Sequence, residues 1–217
     1  MDLAPVALSL RVASLATVLT ITVGVPTAWI LARRTFLGKD LLSATLLTPL
    51  VLPPTVLGYY LLMLVGRRGV IGRLLSTWNI ELAFTWRAAV LAAAVGSFAL
   101  LIKTAQTGFE SIDQRLEQAA QTLGHSDWSI FWTVSVPLAW RSILAGTVLA
   151  FCRALGDFGI TLMVAGDIPG STQTMPLAIY DYVQANDLSR ANLLALVSVG
   201  FVVLLMLAVG RFARLRY

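Results

Sequence analysis

Three stretches of this chain, residues 12–32, 41–65 and 191–210, contain no Asp, Glu, Lys or Arg. At about 1.5 Å of rise per residue each is long enough, as a helix, to cross a hydrocarbon core of about 30 Å. This constrains the fold more than any other feature. Inside a bilayer every backbone N–H and C=O must be paired within the protein, so runs of this length form helices. Two further runs follow with more effort. Residues 88–102 are a short run between Arg87 and Lys103, and the span extends to about 86–106 if those long side chains reach the interface. Residues 142–166 are long enough but carry Arg153 and Asp157. The expectation is an all-α integral membrane protein of five spans (12–32, 41–65, 86–106, 142–166, 191–210), forming one domain over residues 6–214. Composition agrees, since 58% of residues are hydrophobic and only 12% charged, against about 25% charged in a soluble domain.

Orientation is read from cations, which accumulate on the cytoplasmic side. With the N-terminus outside, the inner segments hold Arg33, Arg34, Lys39, Lys103, Arg115, Arg141, Arg211, Arg214 and Arg216. The outer ones hold Arg67, Arg68, Arg73, Arg87 and Arg190, a smaller set. Five spans then put the C-terminus in the cytosol, in a plasma membrane. The net charge of +5 is dispersed over span ends, which suits membrane lipid and excludes a nucleic-acid partner. The first apolar run lacks a basic leader and is too long for a cleavable signal. The single cysteine, Cys152, excludes an internal disulfide and reads as span packing.

Between the third and fourth spans, residues 107–141 form a cytoplasmic loop with an amphipathic stretch. Leu116, Ala119, Ala120 and Leu123 share one helical face, with Ser111 and Gln114 spaced as a capping box. Gly124 supplies a left-handed stop. Ser126 then caps a second helix whose Trp128, Phe131 and Trp132 form an aromatic stripe, ended by Pro137. Gln118, Ala119, Ala120, Gly124, Val134, Val136 and Pro137 together resemble the signature cytoplasmic loop of bacterial ABC importer permeases. There an E-A-A triplet precedes a glycine by four residues and an I-x-L-P ending follows. Gln118 stands where that pattern has Glu, with Glu117 one residue earlier, and LEQAAQTLG resembles the molybdate branch of the family. The resemblance implies a type I permease fold whose coupling surface comprises Gln118, Ala119, Ala120, Gly124, Ser126, Trp128, Phe131, Trp132 and Pro137. It also implies a homodimer working with two cytoplasmic ATP-binding subunits and an external substrate-binding protein.

The second span carries Pro49, Pro53 and Pro54, a broken helix. Broken helices are tolerated where backbone lines a cavity or is covered by protein. Pro53, Pro54, Thr55, Tyr59 and Tyr60, with Ser97 from the third span, are therefore candidates for a translocation path, the alternative being a kink used only for packing. L-P-P followed by G-Y is similar to the same permease branch. In the fourth span Arg153 and Asp157 fall at i, i+4. They either neutralise each other structurally or leave Arg153 facing an anion. Residues 66–87 form an external segment along the surface. In residues 167–190, Thr174 and Pro176 start a short helix from Met175 to Ala185. IPGSTQTMPLAIYDYVQ is again similar to molybdate permeases.

No phosphate-binding loop, zinc motif or nucleophile elbow occurs, so no catalytic residues, no metal site and no bound cofactor are expected. His125 has no neighbouring ligand residue. The resemblance implies a permease that moves molybdate by alternating access, with ATP hydrolysed on other subunits. Tungstate or sulfate import is the alternative within that class. A small channel or a secondary carrier unlinked to an ATPase is the alternative outside it, and the chain has no inverted repeat to favour the latter.

Overall fold

The computed structural model describes residues 3–78 and 81–214, with side chains as far as residue 211. Arg216 and the side chain of Arg214, counted above among the inner cations, lie outside the described residues. The helices are α1 (Ala4–Arg33), α2 (Lys39–Val51), α3 (Pro54–Val65), α4 (Val70–Ser76), α5 (Trp86–Glu110) and α6 (Gln114–Thr122). There follow α7 (Asp127–Ile130), a π-helical turn (Phe131–Ser135), α8 (Val136–Leu155), α9 (Gly159–Ala165), α10 (Met175–Gln184) and α11 (Leu188–Arg214). Four helices are long and apolar enough to cross a membrane: Ala4–Arg33, Trp86–Glu110, Asp127–Leu155 and Leu188–Arg211. Among the described residues there is no strand, so this is an all-α, multi-pass membrane protein.

Small side chains decide the packing. On α1, Ala13, Ala16, Thr17, Thr20 and Ala28 are buried, and on α5, Ala88, Ala89, Ala92, Ala93 and Ala99. Side chains of this size let two helix backbones approach closely, the main attraction open to helices whose other surfaces face lipid. The buried hydroxyls are satisfied within their own helices, Thr17 donating to the Ala13 carbonyl and Thr20 to that of Ala16, both at 2.7 Å. Two apolar cores result. Val12, Ala16, Ala88, Ala92, Ile160 and Val164 belong to one, at the N-terminal end of α1. Val25, Leu31, Leu101, Ala105, Phe109 and Phe131 belong to the other, at its C-terminal end, where α6 and α7 also lie. These are called below the far end and the knuckle end.

The second span breaks where proline chemistry requires. Pro53 and Pro54 have no N–H to offer the carbonyls of Pro49 and Leu50, so α2 stops at Val51 and α3 restarts at Pro54. The pair Lys39–Val51 and Pro54–Ser76 bends by 116°. Leu46 of α2 packs into the knuckle-end core, whereas Leu57, Leu61, Leu62 and Val65 of α3 pack into the far-end core. The two halves thus lie against opposite ends of the bundle, and counted as one broken span the pair brings the crossings to five.

Two expected boundaries are corrected. The fourth span was expected as one helix over 142–166. Instead α8 ends at Leu155, and Gly156 to Phe158 break the chain before α9. At its other end the crossing helix begins at Asp127, because the π-helical turn carries α7 directly into α8. Pro137 therefore does not end the second knuckle helix but sits in the first turn of α8. A proline fits there because the widened turn before it already departs from regular i to i−4 bonding.

At the far end, the Arg11 guanidinium lies 4.1 Å from the centroid of the Trp86 ring, a cation–π contact that joins α1 to the start of α5. The Phe84 N–H donates to the Val164 carbonyl at 2.9 Å, and the Met175 N–H to Ser9 Oγ at 2.6 Å. The short helix α10 begins at Met175 after Thr174, where the sequence predicts it.

In the same region Asp167 Oδ1 is buried with no hydrogen-bond donor, while Gln173 donates to Asp181 Oδ2 at 2.7 Å. Burial, together with the neighbouring Asp181 carboxylate, pushes the Asp167 pKa above its ordinary value, and Gln173 pulls the other way. Protonation of Asp167 removes the repulsion between the two facing carboxylates, which is the sense of the shift. Because the folded-state pKa is raised, the stabilisation is complete below the ordinary carboxyl range and is lost as pH rises through the raised value. Asp167→Asn should melt like the parent chain at acidic pH and at higher temperature than the parent at neutral pH. Thermal unfolding in detergent across that range checks this.

Candidate functional site

The knuckle is held by a buried ion pair. Arg33, in the last turn of α1, brings Nε to 2.7 Å from Glu117 Oε2 in the first turn of α6, with only 8% and 11% of the two side chains exposed. The two atoms meet as charges and not as an aligned hydrogen bond. The other carboxylate oxygen accepts from Ser135 Oγ at 2.6 Å, and that hydroxyl accepts in turn from Trp29 Nε1 at 3.2 Å. Arg33 Nη2 also donates to the Ile112 carbonyl at 3.3 Å. One carboxylate thus joins α1, the end of α5, α6 and the π-helical turn. Nearby Arg34 pairs with Asp127 of α7, which also accepts from Gln121 at 3.3 Å.

The turn between α6 and α7 follows its residues. Asp113, not Ser111, caps α6, accepting from the Arg115 N–H at 3.0 Å. Ser111 instead donates to the Gly108 carbonyl, so the capping box read from the sequence does not form. Gly124 adopts φ +87°, the left-handed conformation in which a side chain is strained. Its N–H reaches the Gln121 carbonyl and that of His125 the Ala120 carbonyl, closing α6. Ser126 then caps α7 by accepting from the Ser129 N–H.

With Glu117 turned inward, the apolar residues of α6 face out. Leu116 and Leu123 are exposed, as are Gln118 and Ala119, while Ala120 is half-buried. The aromatic stripe divides. Phe131 is fully buried, stacked on Trp128 at 5.3 Å and meeting Trp29 edge-on at 5.3 Å. Trp128 and Trp132 stay largely exposed over it, and Pro137 is exposed beyond them. Phe131 is therefore a pin into the core and no part of the outer contact surface. Removal of three apolar knobs from water would be the gain for whatever covers Leu123, Trp128 and Trp132.

The second set of residues lies at two helix breaks that meet within the bundle. A Cβ on Gly159, the first residue of α9, would stand 2.8 Å from Pro54 Cβ, and one on Gly58 would stand 2.7 Å from Met163 Cβ. The α2–α3 break and the α8–α9 break are in this way pressed together. Pro53, Pro54, Thr55, Tyr59 and Tyr60 are all exposed around it, the two tyrosine rings edge-to-face at 5.7 Å. Ser97 does not join them. It is fully buried and its hydroxyl is spent on the Ala93 carbonyl at 2.7 Å.

Arg153 and Asp157 are not on one continuous helical face. Asp157 sits in the break and is 3% exposed. One oxygen accepts from the Thr161 N–H at 2.9 Å and its hydroxyl at 2.7 Å, and the other from Arg153 Nη1 at 3.2 Å. The carboxylate is thus a cap for α9 first and an ion-pair partner second. About a third of the Arg153 side chain remains exposed, leaving guanidinium N–H groups free to meet another group. Among the described residues no three His, Cys, Asp or Glu side chains gather as a metal site. His125 Nδ1 contacts Ser129 Oγ at 3.1 Å.

Glu117, Arg33, Ser135 and Trp29 are the residues that reading by face and motif missed. The available signals were a serine among apolar residues just before a span and a glutamate beside the alanine pair. Glu117→Ala would leave Arg33 buried without a counter-charge, which costs about 3–5 kcal/mol, whereas Glu117→Gln keeps an acceptor for Ser135. Amide exchange in α6 should accelerate strongly in the alanine variant and less in the glutamine variant, with a matching order of thermal stability.

Residues 24–215 match the family described as binding-protein-dependent transport system inner membrane component. Among curated proteins the chain is 51% identical over 180 residues to "Molybdenum transport system permease protein ModB" of Escherichia coli K12, covering 82% of this chain and 79% of that one. It is 44% identical over 185 residues to the protein of the same name from Haemophilus influenzae, covering 85% and 81%. Among solved structures it shares its fold with a bacterial ABC transporter involved in import of the acidic polysaccharide alginate. The TM-score is 0.77 at 13% identity, with 99% of this chain and 80% of that one covered. With the inward-turned Glu117, the glycine-stopped knuckle and the multi-pass helical bundle already in hand, these matches mean that the chain belongs to the family of binding-protein-dependent transport system inner membrane components.

Proposed function

We propose that this chain is the membrane-spanning permease subunit of an ATP-driven importer for molybdate. Two copies enclose the path, two cytosolic subunits hydrolyse ATP, and an external binding protein delivers the anion. The observation that carries the reading is the 51% identity over 180 residues to a molybdenum permease, a level at which the whole arrangement of spans and knuckle is shared. The N-terminus lies outside and the C-terminus in the cytosol, as the positions of the arginines favour. Membrane lipid surrounds the bundle, and the chain itself contributes no catalytic group and binds no cofactor.

The mechanism follows from how the knuckle is attached. Leu123, Trp128 and Trp132 offer an apolar surface that suits a groove on a partner. A push on that surface is not absorbed by a loose loop. It passes through Glu117 to Arg33 and α1, and through α7 and the π-helical turn into α8. The far end of α8 abuts the break that carries Asp157, where α9 rests on Pro54. Closure of the ATPase pair thereby moves the region around Thr55, Tyr59 and Tyr60, which offers neutral hydroxyl donors to an oxyanion. Weak donors suit a path that must release its cargo, while Arg153 supplies positive charge nearby.

Reconstitution with the two partner proteins tests the reading. Proteoliposomes should take up molybdate only when ATP is present on the knuckle side, and a tenfold excess of sulfate should leave most of that uptake intact. Gly124→Val imposes about 1–2 kcal/mol of left-handed strain and misaims α7. It should abolish most uptake while the complex still assembles. Uptake without ATP, or uptake blocked equally by sulfate, would contradict the proposal.

A further inference from the structure

At the far end of the bundle the chain doubles back on itself after α3. A Cβ on Gly72 would collide with the Gly66 carbonyl, and one on Gly69 with the carbonyls of Met63 and Leu64. Backbone therefore lies on backbone, and α4 roofs a cavity of about 1020 Å³, at the upper end of the range for small-molecule sites. Its wall is apolar, with Leu62, Met63, Leu82 and Phe84, and its rim carries Arg67 and Arg68. Met63 is itself about half exposed on α3, so the cavity is open along that helix.

Two features of α4 point to what enters. Val70, Leu74 and Trp78 recur every fourth residue and are 69%, 66% and 75% exposed, an apolar stripe with a tryptophan at its end, as in helices that lie in the headgroup zone. The cations are in excess beside it. Glu81 engages Arg67 at 2.8 Å, but Arg68 and Arg73 have no carboxylate partner among the described residues, and the Arg73 Nε–H donates to the Arg68 backbone carbonyl at 3.1 Å, which ties the Arg73 side chain to the start of the roofing segment.

We propose that this cavity binds one anionic phospholipid of the leaflet opposite the knuckle. The phosphate sits against Arg68, which lines the cavity, with Arg73 on the roofing helix adding positive charge beside it, and an acyl chain runs over Leu62, Met63 and Phe84. A soluble oxyanion would gain nothing from the apolar wall, and a zwitterionic lipid would gain less from the two arginines.

The test uses the full chain purified with its partner subunits in a neutral detergent. Phosphatidylglycerol and phosphatidylcholine of identical chains are titrated in, and bound lipid is counted by native mass spectrometry with melting temperature as a second readout. The parent should retain phosphatidylglycerol over phosphatidylcholine by about tenfold or more, and Arg68→Gln with Arg73→Gln should erase that preference. Equal retention of the two lipids by the parent, or an unchanged preference in the variant, would overturn the proposal. Glycerol phosphate should not compete, and effective competition would make this a soluble-anion site and defeat the lipid assignment. In a Cys152→Ser background, efficient disulfide formation between two copies carrying Leu74→Cys would show that a second copy covers the groove, which also defeats it.

Discussion

Arg33 and Glu117 meet at 2.7 Å with nearly all of both side chains removed from water, and the rest of the knuckle is arranged around that contact. Two charges taken out of solvent cost several kcal/mol each unless they face one another and their remaining valences are filled. Here Ser135 and the Ile112 carbonyl fill them. Such a pair adds little net stability over an apolar alternative, but losing either partner is expensive. It therefore specifies one geometry. The end of α1, the start of α6 and the π-helical turn have to sit together, and α6 has to turn its glutamate in and its leucines out.

From that orientation the division between rigid and adaptable parts follows. The spans adhere through alanines and hydroxyls that need nothing from outside. Where the backbone departs from regular helix, at Pro53–Pro54 and at Gly156 to Phe158, two irregularities face each other, and Asp157 closes one of them by capping α9. Irregular backbone at membrane depth is tolerated when covered by protein or lining a wet path. The exposed side of this junction holds Thr55, Tyr59 and Tyr60, which present neutral hydroxyls. A continuous helix of 29 residues, Asp127–Leu155, links the knuckle to that junction, with the π-helical turn as its one irregular point.

Much of this was legible in the sequence because membranes leave few choices. Uncharged runs mark spans, paired prolines mark a break, and glycine before serine marks the turn between α6 and α7. What escaped did so for physical reasons. Periodicity shows that Leu116, Ala119, Ala120 and Leu123 share a face but not which way it points, and here Leu116, Ala119 and Leu123 point outward because Glu117 is turned in. The same orientation hid Glu117. Spacing joined Phe131 to Trp128 and Trp132, yet only its contacts with Trp29 and Phe109 make it core. Asp157 looked like a residue on a helical face because hydrophobicity runs on past Gly156, whereas two hydrogen bonds from Thr161 favour a new helix start there. Ser97 looked like a donor for cargo, but a serine in a tightly packed span bonds its own backbone first.

All of this gives the knuckle a mechanical role only if it faces the cytosol, and the most direct measurement is its sidedness. Starting from Cys152→Ser, single cysteines at Gln121 and Ser171, both exposed, are probed in intact cells with a membrane-impermeant thiol reagent. The Ser171→Cys chain should label in intact cells, and the Gln121→Cys chain only after the membrane is opened. Labelling of Gln121→Cys from outside would put Leu123, Trp128 and Trp132 beyond the reach of any cytosolic ATPase and contradict the account.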